Sequence, residues 1–330
     1  MKFSVNEVDK ETTVWGKCEA IQKMWNVQTH FGIYLVATLI CPVCGCDYWK
    51  YLWQVTKRDT VNLPEARQFL AASFVRCRNC KVVYQQVGPI GYRTYPHALE
   101  EDDRDGVMWE CKELNRSALT ILLARYYSRT QKQQQGRHAK IRLLDVGCST
   151  GGFIEMALKQ DIECEGIEIK PYGAEVARSR TGAKIHVGNF VDHQFDGQYD
   201  IVNCTEVIEH ILSPTPFIKK MSDLLRSGGM LHLTTMPNSD SLRVRKEKAQ
   251  NELIRDTFSH FVLYNPSAMR FLLTICGFDD IRFHAFPRRF ATFKGLLLGL
   301  LNRLGHWDNQ LIVTAFKGMA NSSEGVGERK

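Results

Sequence analysis

The feature that most constrains this chain is a glycine-rich turn directly after a short apolar run. Residues 141–146 are mostly apolar, and the chain then passes through Gly147-Cys-Ser-Thr-Gly151-Gly before helix-compatible residues begin near Phe153. Glycines in such a turn let the backbone approach a ligand closely, and the amides at the helix start point into the crevice at the strand end. Asp145, near the end of the apolar run, is therefore predicted to face a ligand, and a ligand ammonium group in particular.

Short apolar runs alternate with helix-compatible stretches beyond this turn. The runs lie at residues 162–169, 184–187, 199–204, 230–234, 281–285 and 310–315. Such alternation predicts βαβ units and a parallel sheet. Glu168 lies 23 positions after Asp145, close to the interval of about 20 residues at which a carboxylate binds ribose hydroxyls. Taken alone, the glycine turn also fits a nicotinamide cofactor.

The order of these motifs over residues 140–317 resembles the class I S-adenosylmethionine-dependent methyltransferases. The resemblance implies an α/β fold, a doubly wound Rossmann-like sheet of seven strands, with S-adenosyl-L-methionine as cofactor. Ser149 stands where the family usually has its middle glycine, and Asn189 stands where it more often has aspartate. The cofactor-binding residues that the resemblance implies are Asp145, Gly147, Cys148, Ser149, Gly151, Glu168, Ile169, Asn189, Phe190, Cys204 and Glu206.

Two cysteine pairs precede this region, each with two residues between its cysteines. The pairs are Cys41 with Cys44 and Cys77 with Cys80, and 32 residues separate them. This spacing puts four thiolates at the corners of a tetrahedron and predicts structural Zn²⁺ rather than disulfides in a reducing compartment. Four protein ligands leave no open position, so catalysis by this zinc is not expected. Two alternatives remain: Cys46 replaces one ligand, or the four cysteines are unrelated buried residues.

The cysteine pairs and the residues around them resemble the zinc-ribbon module that precedes the methyltransferase domain in many bacterial small-molecule methyltransferases. The module implies a small N-terminal domain that acts as a substrate-side lid or as a partner surface. A small core is expected from Trp49, Tyr51, Leu52 and Trp53. The cations Arg76, Arg78 and Lys81 leave nucleic acid open as a partner, although a solvated rim explains them better.

We expect four segments along the chain. These are a zinc-ribbon domain with an N-terminal extension over residues 1–100, a helical connection or lid over 101–139, the methyltransferase domain over 140–319 and a flexible tail over 320–330. Within the connection, a helix is expected over residues 105–129. The 330 residues contain 44% hydrophobic and 24% charged residues, which is ordinary for a globular protein and excludes a disordered chain, a collagen and a coiled coil.

Sequence features also bear on location and partners. No apolar run reaches the roughly 18 residues of a membrane span, and the N-terminus is not typical of a signal peptide. We therefore expect a cytoplasmic protein with reduced cysteines. The net charge of +7 fits an anionic partner but does not require one. Residues 293–304 form an apolar segment that is expected to pack on the sheet, with an acceptor pocket or a peripheral membrane contact as alternatives. The oligomeric state is left open.

Methyl transfer to oxygen or carbon requires an acceptor held in line and the removal of a proton. Histidine suits this role near neutral pH. His210 follows the fourth strand and His260 lies in the segment after the fifth, so both are candidate catalytic bases, with a structural role at a helix N-terminus as the alternative for His210.

A metal site is the other interpretation of the same residues. Glu206, Glu209 and His210 are spaced to share one helical turn, as positions i, i+3 and i+4. Together with His260 they would form a site similar to that of small-RNA 3′-end 2′-O-methyltransferases. The aromatic-rich surroundings of those enzymes are absent here, where the sequence is His260-Phe-Val-Leu-Tyr264.

The sequence thus predicts a methyltransferase that acts on an oxygen, or less favourably a carbon, of a small biosynthetic intermediate. A sugar, a lipid-like molecule and a natural-product precursor all fit this acceptor class. One alternative is a metal-dependent RNA 3′-terminal 2′-O-methyltransferase. Another is a catalytically inactive zinc-ribbon protein that serves in binding or as a scaffold.

Overall fold

The computed structural model describes residues 27–28, 34–37, 40–55, 72–89, 112–130, 140–248, 251, 260–284 and 309–318. These residues form a seven-stranded sheet and a smaller sheet that contains the cysteine pairs. Several predicted features lie outside the described residues: most of the N-terminal extension, the lid residues 101–111 and 131–139, the apolar segment 293–304 and the tail 320–330. The segment boundaries at residues 100, 139 and 319 stay predictions.

The large sheet has the strand order β12-β13-β10-β9-β6-β7-β8. Its strands are β6 (Arg142–Val146), β7 (Glu163–Glu168), β8 (Lys184–Val187), β9 (Tyr199–Thr205), β10 (Leu225–Pro237), β12 (Phe278–His284) and β13 (Gln310–Lys317). The pairs among β6 to β10 are parallel, and β13 is antiparallel to both of its neighbours. The chain reverses its direction of winding between β6 and β9, which opens a crevice at their carboxyl ends. This topology confirms the predicted doubly wound α/β fold.

Helices connect these strands. They are α1 (Lys112–Thr130), α2 (Gly152–Leu158), α3 (Pro171–Thr181), α4 (Pro214–Leu224), α5 (Leu242–Glu247) and α6 (Pro266–Ile275). The helix expected at 105–129 corresponds to α1. A partly buried ion pair joins α1 to the sheet. Arg125 is only 7% exposed and bonds Asp280 of β12, which is 22% exposed. Arg129 bonds the same carboxylate at 2.7 Å.

The predicted strand at residues 230–234 is wrong in its bounds, because β10 extends from Leu225 to Pro237. The glycines at positions 228 and 229 are typical of a turn. Instead Leu225 pairs with Tyr199, and the register then shifts before Met230. Gly228 adopts φ 70°, a left-handed conformation that absorbs this irregularity without ending the strand.

The small sheet is antiparallel, with the order β1-β2-β5-β4-β3. Its strands are β1 (Val27–Gln28), β2 (Tyr34–Ala37), β3 (Trp49–Val55), β4 (Ala72–Cys77) and β5 (Val83–Pro89). A strand from the C-terminal half, β11 (Val262–Leu263), joins it by pairing with β5. Cys41, Cys77, Cys80 and Tyr84 belong to the same buried cluster as residues of the large sheet, so the apolar core is continuous between the two sheets.

The predicted core of the small sheet is partly wrong. Trp49, Leu52 and Trp53 pack against buried clusters, whereas Tyr51 is 52% exposed. In a regular strand Trp49, Tyr51 and Trp53 would share one face. The register of β3 with β4 shifts between Tyr51 and Trp53, however, and Tyr51 meets solvent.

Candidate active site

The glycine-rich turn begins directly after β6 and adopts left-handed conformations at three positions. Gly147, Ser149 and Gly151 have φ values of 76°, 48° and 77°. The amides of Gly147 and Cys148 both donate to the carbonyl of Ile167, at 2.9 and 3.1 Å. A Cβ atom at position 147 would lie 2.4 Å from Cγ2 of Val207. The turn therefore requires glycine at position 147, both for its backbone angle and for space.

Glu168, at the end of β7, is hydrogen-bonded to the glycine turn. Its carboxylate accepts from the amide of Ser149 at 2.9 Å and from the amide of Lys170 at 3.0 Å. The side chain is 8% exposed, and the next residue, Ile169, is half-buried. Each carboxylate oxygen has a second lone pair that can accept from a ligand hydroxyl.

Asp145 begins a chain of buried polar side chains across the sheet. Nδ2 of Asn203 donates to Oδ1 of Asp145 at 2.7 Å, and Nδ1 of His232 lies 2.7 Å from Oδ1 of Asn203. The amide oxygen accepts, so Nδ1 of His232 carries the proton. Burial lowers the pKa of His232 to about 3, so this histidine is neutral. Sequence analysis missed this chain, although a polar residue inside each of two apolar strands was a usable signal.

Burial raises the pKa of Asp145 to about 7; the bond from Asn203 lowers this pKa and the charge of Glu168 raises it further. The carboxyl group is 3% exposed. A buried acid in this condition gains from a cation placed against it, because an opposite charge favours the ionised form. The environment of Asp145 is thus suited to the ammonium group of an amino-acid moiety.

The remaining predicted cofactor residues lie at or just after strand ends, in different environments. Asn189 is exposed and Nδ2 donates to Asp192 at 2.8 Å. Phe190 is 5% exposed and packs edge-on against Phe217, with ring centroids 5.0 Å apart. Cys148 and Cys204 are buried. Glu206 follows β9 with a φ of 52°.

The candidate acceptor side contains two histidines and a buried carboxylate. Glu209 and His210 lie in a 3₁₀ helix, Ile208–His210, directly after β9. Their ligand atoms and a ring nitrogen of His260 all lie within 4.8 Å of one another. The rings of His210 and His260 are 5.0 Å apart at their centroids, and Glu209 is 1% exposed. Both predicted catalytic histidines are therefore neighbours in the fold.

Glu206 lies outside this group, so the structure brings together three of the four residues that the alternative metal interpretation named. The prediction assumed an α-helical turn over residues 206–210. Glu206 is instead left-handed, and only residues 208–210 are helical, in 3₁₀ geometry. The i, i+4 relation of an α-helix does not hold in such a segment.

The four paired cysteines converge in the small sheet. The sulfur atoms of Cys41, Cys44, Cys77 and Cys80 all lie within 4.8 Å of one another. The turn at each pair is closed by a backbone bond, from Gly45 to Cys41 and from Lys81 to Cys77. Four thiolates in this arrangement fit Zn²⁺ in its preferred tetrahedral coordination.

Cys46 lies outside the four-cysteine group. The sulfur of Cys46 accepts from the amide of Tyr48 at 3.4 Å. The alternative in which Cys46 replaces one ligand is therefore not the arrangement that the structure describes.

Residues 116–282, about half of the chain, match the profile of a family described as a methyltransferase domain. Ajmaline N-methyltransferase of Rauvolfia serpentina is 30% identical over 126 residues, which cover 34% of this chain and 43% of that protein. Ubiquinone biosynthesis O-methyltransferase of Shewanella halifaxensis is 32% identical over 102 residues, or 29% of this chain and 43% of that protein. The chain thus spans less than half the length of these curated relatives.

Among solved structures, the fold is similar to magnesium protoporphyrin IX methyltransferase from Synechocystis PCC 6803 with bound SAH. The TM-score is 0.47 at 16% identity, with 68% of this chain and 98% of that chain covered. Among the helices that the structure describes, none is long and apolar enough to cross a membrane.

Proposed function

We propose, from the premise that this chain belongs to the methyltransferase domain family, that it transfers a methyl group from S-adenosyl-L-methionine to an oxygen or nitrogen of a small molecule. The bound cofactor supplies a methyl group activated on a sulfonium. The chain must bind this cofactor, hold the acceptor in line and accept a proton from it. Oxygen is our preferred acceptor atom, and the named relatives include one O-methyltransferase and one N-methyltransferase.

The cofactor half of the site is supported by groups that suit an amino acid and a ribose. The carboxylate of Asp145 would bind the ammonium group, and that of Glu168 would bind the ribose hydroxyls. The amides of the glycine turn would line the same crevice. Asn189 and Phe190 follow the next strand and would contact the adenine.

The acceptor half is supported by one observation above all, the neighbouring rings of His210 and His260 beside the buried carboxylate of Glu209. A neutral imidazole can take a proton from an acceptor hydroxyl near neutral pH. The adjacent carboxylate stabilises the imidazolium that results. We assign the base to one of these two histidines.

Calorimetry with S-adenosylhomocysteine tests the cofactor half. The wild-type chain should bind this probe, and Asp145→Ala should abolish measurable binding. Asp223→Ala is the matched control, because Asp223 is 61% exposed and pairs with Lys219 of the same helix, α4. A wild-type protein that fails to bind contradicts the enzyme proposal and favours the inactive scaffold.

Methyl transfer to a panel of phenols, catechols and sugars tests the acceptor half. For any acceptor found, His210→Gln or His260→Gln should lower kcat about 10²–10⁴-fold, the usual contribution of a general base. Binding of S-adenosylhomocysteine should stay unchanged in both variants. Full activity in both variants would rule out the histidine base.

The three-residue group also supports the second candidate, metal-dependent methylation of an RNA 3′-terminal ribose. One carboxylate and two imidazoles make a plausible donor set for a divalent cation. Vicinal hydroxyls of the ribose would then complete its coordination. The relevant assay compares a short RNA ending in a 2′,3′-diol with the same RNA ending in a 3′-deoxynucleotide.

Activity on the diol that requires added Mg²⁺ or Mn²⁺ and is lost in Glu209→Gln would support this candidate. Glu163→Gln should retain activity, because Glu163 is 56% exposed and lies outside the group. Activity on small molecules that needs no added Mg²⁺ or Mn²⁺ and is lost in His210→Gln or His260→Gln would instead support the histidine base.

A further inference from the structure

The small sheet binds the segment that carries His260. β11 pairs antiparallel with β5, with Val262 opposite Tyr84 and Leu263 opposite Val83. The amide of Gln85 extends this pairing by donating to the carbonyl of Phe261 at 2.9 Å. The edge of β5 is therefore completed by residues that lie almost 180 positions later in the chain.

The same segment also contacts the acceptor side. The amide of Phe261 donates to the carbonyl of Glu209 at 2.9 Å. Phe261 thus receives a bond from the small sheet and gives one to the 3₁₀ helix that carries Glu209 and His210. His260 is the adjacent residue, so its backbone position follows from these two bonds.

A side-chain bond reaches directly into the second cysteine turn. Nδ2 of Asn265 donates to the carbonyl of Lys81 at 2.9 Å, while Oδ1 of the same residue caps helix α6 through the amide of Ala268. Lys81 immediately follows Cys80. The turn that holds Cys77 and Cys80 is therefore bonded to Asn265, at the C-terminal end of the segment of residues 260–265.

Two further bonds join the small sheet to the elements around the crevice. Nη2 of Arg76 lies 2.5 Å from Oδ1 of Asp240, just beyond the end of β10. Oγ1 of Thr215 donates to the carbonyl of Val43, between the first two cysteines, at 2.9 Å. The first bond joins a neighbour of a cysteine turn to the segment after β10, and the second joins a cysteine turn to helix α4.

The glycine turn takes its bonds from other elements. The amides of Gly147 and Cys148 donate to Ile167, and the amide of Ser149 donates to Glu168. All of these acceptors belong to β7. A change in the small sheet should therefore displace the acceptor-side residues more than it displaces the glycine turn.

We propose that the four-cysteine sheet is a positioning element of the acceptor site: by binding residues 261–263 along β5, it fixes His260 beside Glu209 and His210. A two-residue strand is too short to be stable alone, so its geometry depends on the rigidity of β5. That strand begins three residues after Cys80, and a metal bound to the thiolates would fix the turn before it. The catalytic consequence rests on the proposed function, whereas the positioning itself does not.

Amide hydrogen exchange on the full chain tests the positioning directly. Removal of the metal by chelator, or the substitution Cys77→Ser, should accelerate exchange at Gln85 and Phe261 at least about tenfold, because their bonds depend on β5. Exchange at Gly147 and Cys148 should stay unchanged. Cys46→Ser is the matched control, since Cys46 lies in the same region but outside the four-cysteine group. Equal acceleration at both pairs of amides, or at neither, would overturn the proposal.

Two variants that keep all four cysteines test the same proposal in case Cys77→Ser does not fold. Thr215→Val removes the bond to Val43 with almost no change in shape, and Arg76→Gln removes the ion pair with Asp240. Each should retain zinc and still accelerate exchange at Phe261 more than at Gly147. If neither variant accelerates exchange at Phe261 more than at Gly147, the result contradicts the positioning role.

Kinetics connect the positioning to catalysis. Metal removal should lower kcat for an identified acceptor by about 100-fold, as expected when a catalytic group shifts by about 1 Å. The Kd for S-adenosylhomocysteine should change less than about twofold. If the wild-type chain binds no S-adenosylhomocysteine, the proposed function fails while the exchange experiment still decides the positioning. If metal removal accelerates amide exchange but leaves kcat unchanged, the positioning of His260 by the small sheet does not determine the rate of methyl transfer.

Discussion

At the scale of single residues, Gly147 combines two constraints that are separable by experiment. Its φ of 76° strains any other residue, and a Cβ there would lie 2.4 Å from Val207. Gly182, the C-cap of α3, has a φ of 68° and open space around it. Comparing alanine substitutions at the two positions separates the effect of the steric clash from the effect of left-handed backbone strain.

We expect Gly147→Ala to abolish binding of S-adenosylhomocysteine, because Val207 and the turn must move apart. We expect Gly182→Ala to cost only about 1–2 kcal/mol of unfolding free energy, the usual strain of a left-handed residue, and to leave binding intact. Calorimetry and urea denaturation measure the two effects. Unchanged binding in Gly147→Ala would show that the turn is not at the ligand.

Asp145 should make cofactor affinity depend on pH. Its pKa is raised to about 7, mainly by burial, so about one tenth of the free protein carries the charged form at pH 6 and about nine tenths at pH 8. If the ammonium group binds the carboxylate, affinity for S-adenosylhomocysteine should rise about tenfold between these values. A Kd that is flat across this range would remove Asp145 from the ammonium site.

The same shift predicts an opposite trend for stability without ligand. Between the ordinary pKa of 3.8 and about 7, the folded chain holds a proton that the unfolded chain has lost. The contribution of Asp145 to the unfolding free energy therefore falls as pH rises through this window, and the loss is complete above about 7. Asp145→Asn should gain stability relative to wild type between pH 5 and pH 8, as followed by urea denaturation.

At the scale of elements, helix α1 depends on one carboxylate of β12. Asp280 bonds both Arg125 and Arg129, and their guanidinium groups lie 4.9 and 4.7 Å from the ring centroid of Phe316. Burial opposes ionisation of Asp280, but the bonds from these arginines and Arg282 hold its pKa below the ordinary 3.8. The contribution of Asp280 is therefore present above about pH 3.8 and is lost as pH falls further.

Asp280→Asn should lower the unfolding free energy by about 1.5–3 kcal/mol, the range for a hydrogen bond to a charged group. Asparagine tolerates the left-handed backbone at this position, so the change tests the charge alone. Asp279→Asn is the control and should cost little, since Asp279 is 54% exposed and lies 3.6 Å from Arg129. Equal losses of unfolding free energy in both variants would mean that the partly buried pair at Asp280 contributes no more than the exposed pair at Asp279.

Strand positions were predictable from sequence where period and composition agreed. β8 has the predicted bounds and β9 extends the prediction by one residue, because both are short apolar runs bounded by polar residues. β10 was not predictable in full, since Gly228 and Gly229 are typical of a turn and only the register of neighbouring strands keeps them in the sheet. The alternative metal interpretation placed the two histidines together, but the local geometry that keeps Glu206 out of the group depends on tertiary packing. The pairing of β11 with β5 joins residues too far apart in sequence for any local pattern to indicate it.

At the scale of the whole molecule, the two sheets should unfold together. Buried residues of the cysteine region, of strands β6, β7, β9 and β10 and of helix α6 form one cluster, and separate unfolding would expose that shared surface to water. Differential scanning calorimetry should therefore show a single transition with equal calorimetric and van't Hoff enthalpies. Two resolved transitions would contradict a shared core.

Metal analysis of the same sample should find about one zinc per chain, as four thiolates imply.

The pairing of β11 with β5 also bears on how such chains evolve by recombination. The family match begins at residue 116, yet the sheet edge that residues 262–263 complete belongs to a strand that ends at residue 89. A chain inherited from residue 116 onward would leave Val262 and Leu263 without their partner strand and expose apolar side chains that are now fully buried. We therefore expect a chain begun at residue 116 to need a substitute for β5 along residues 262–263.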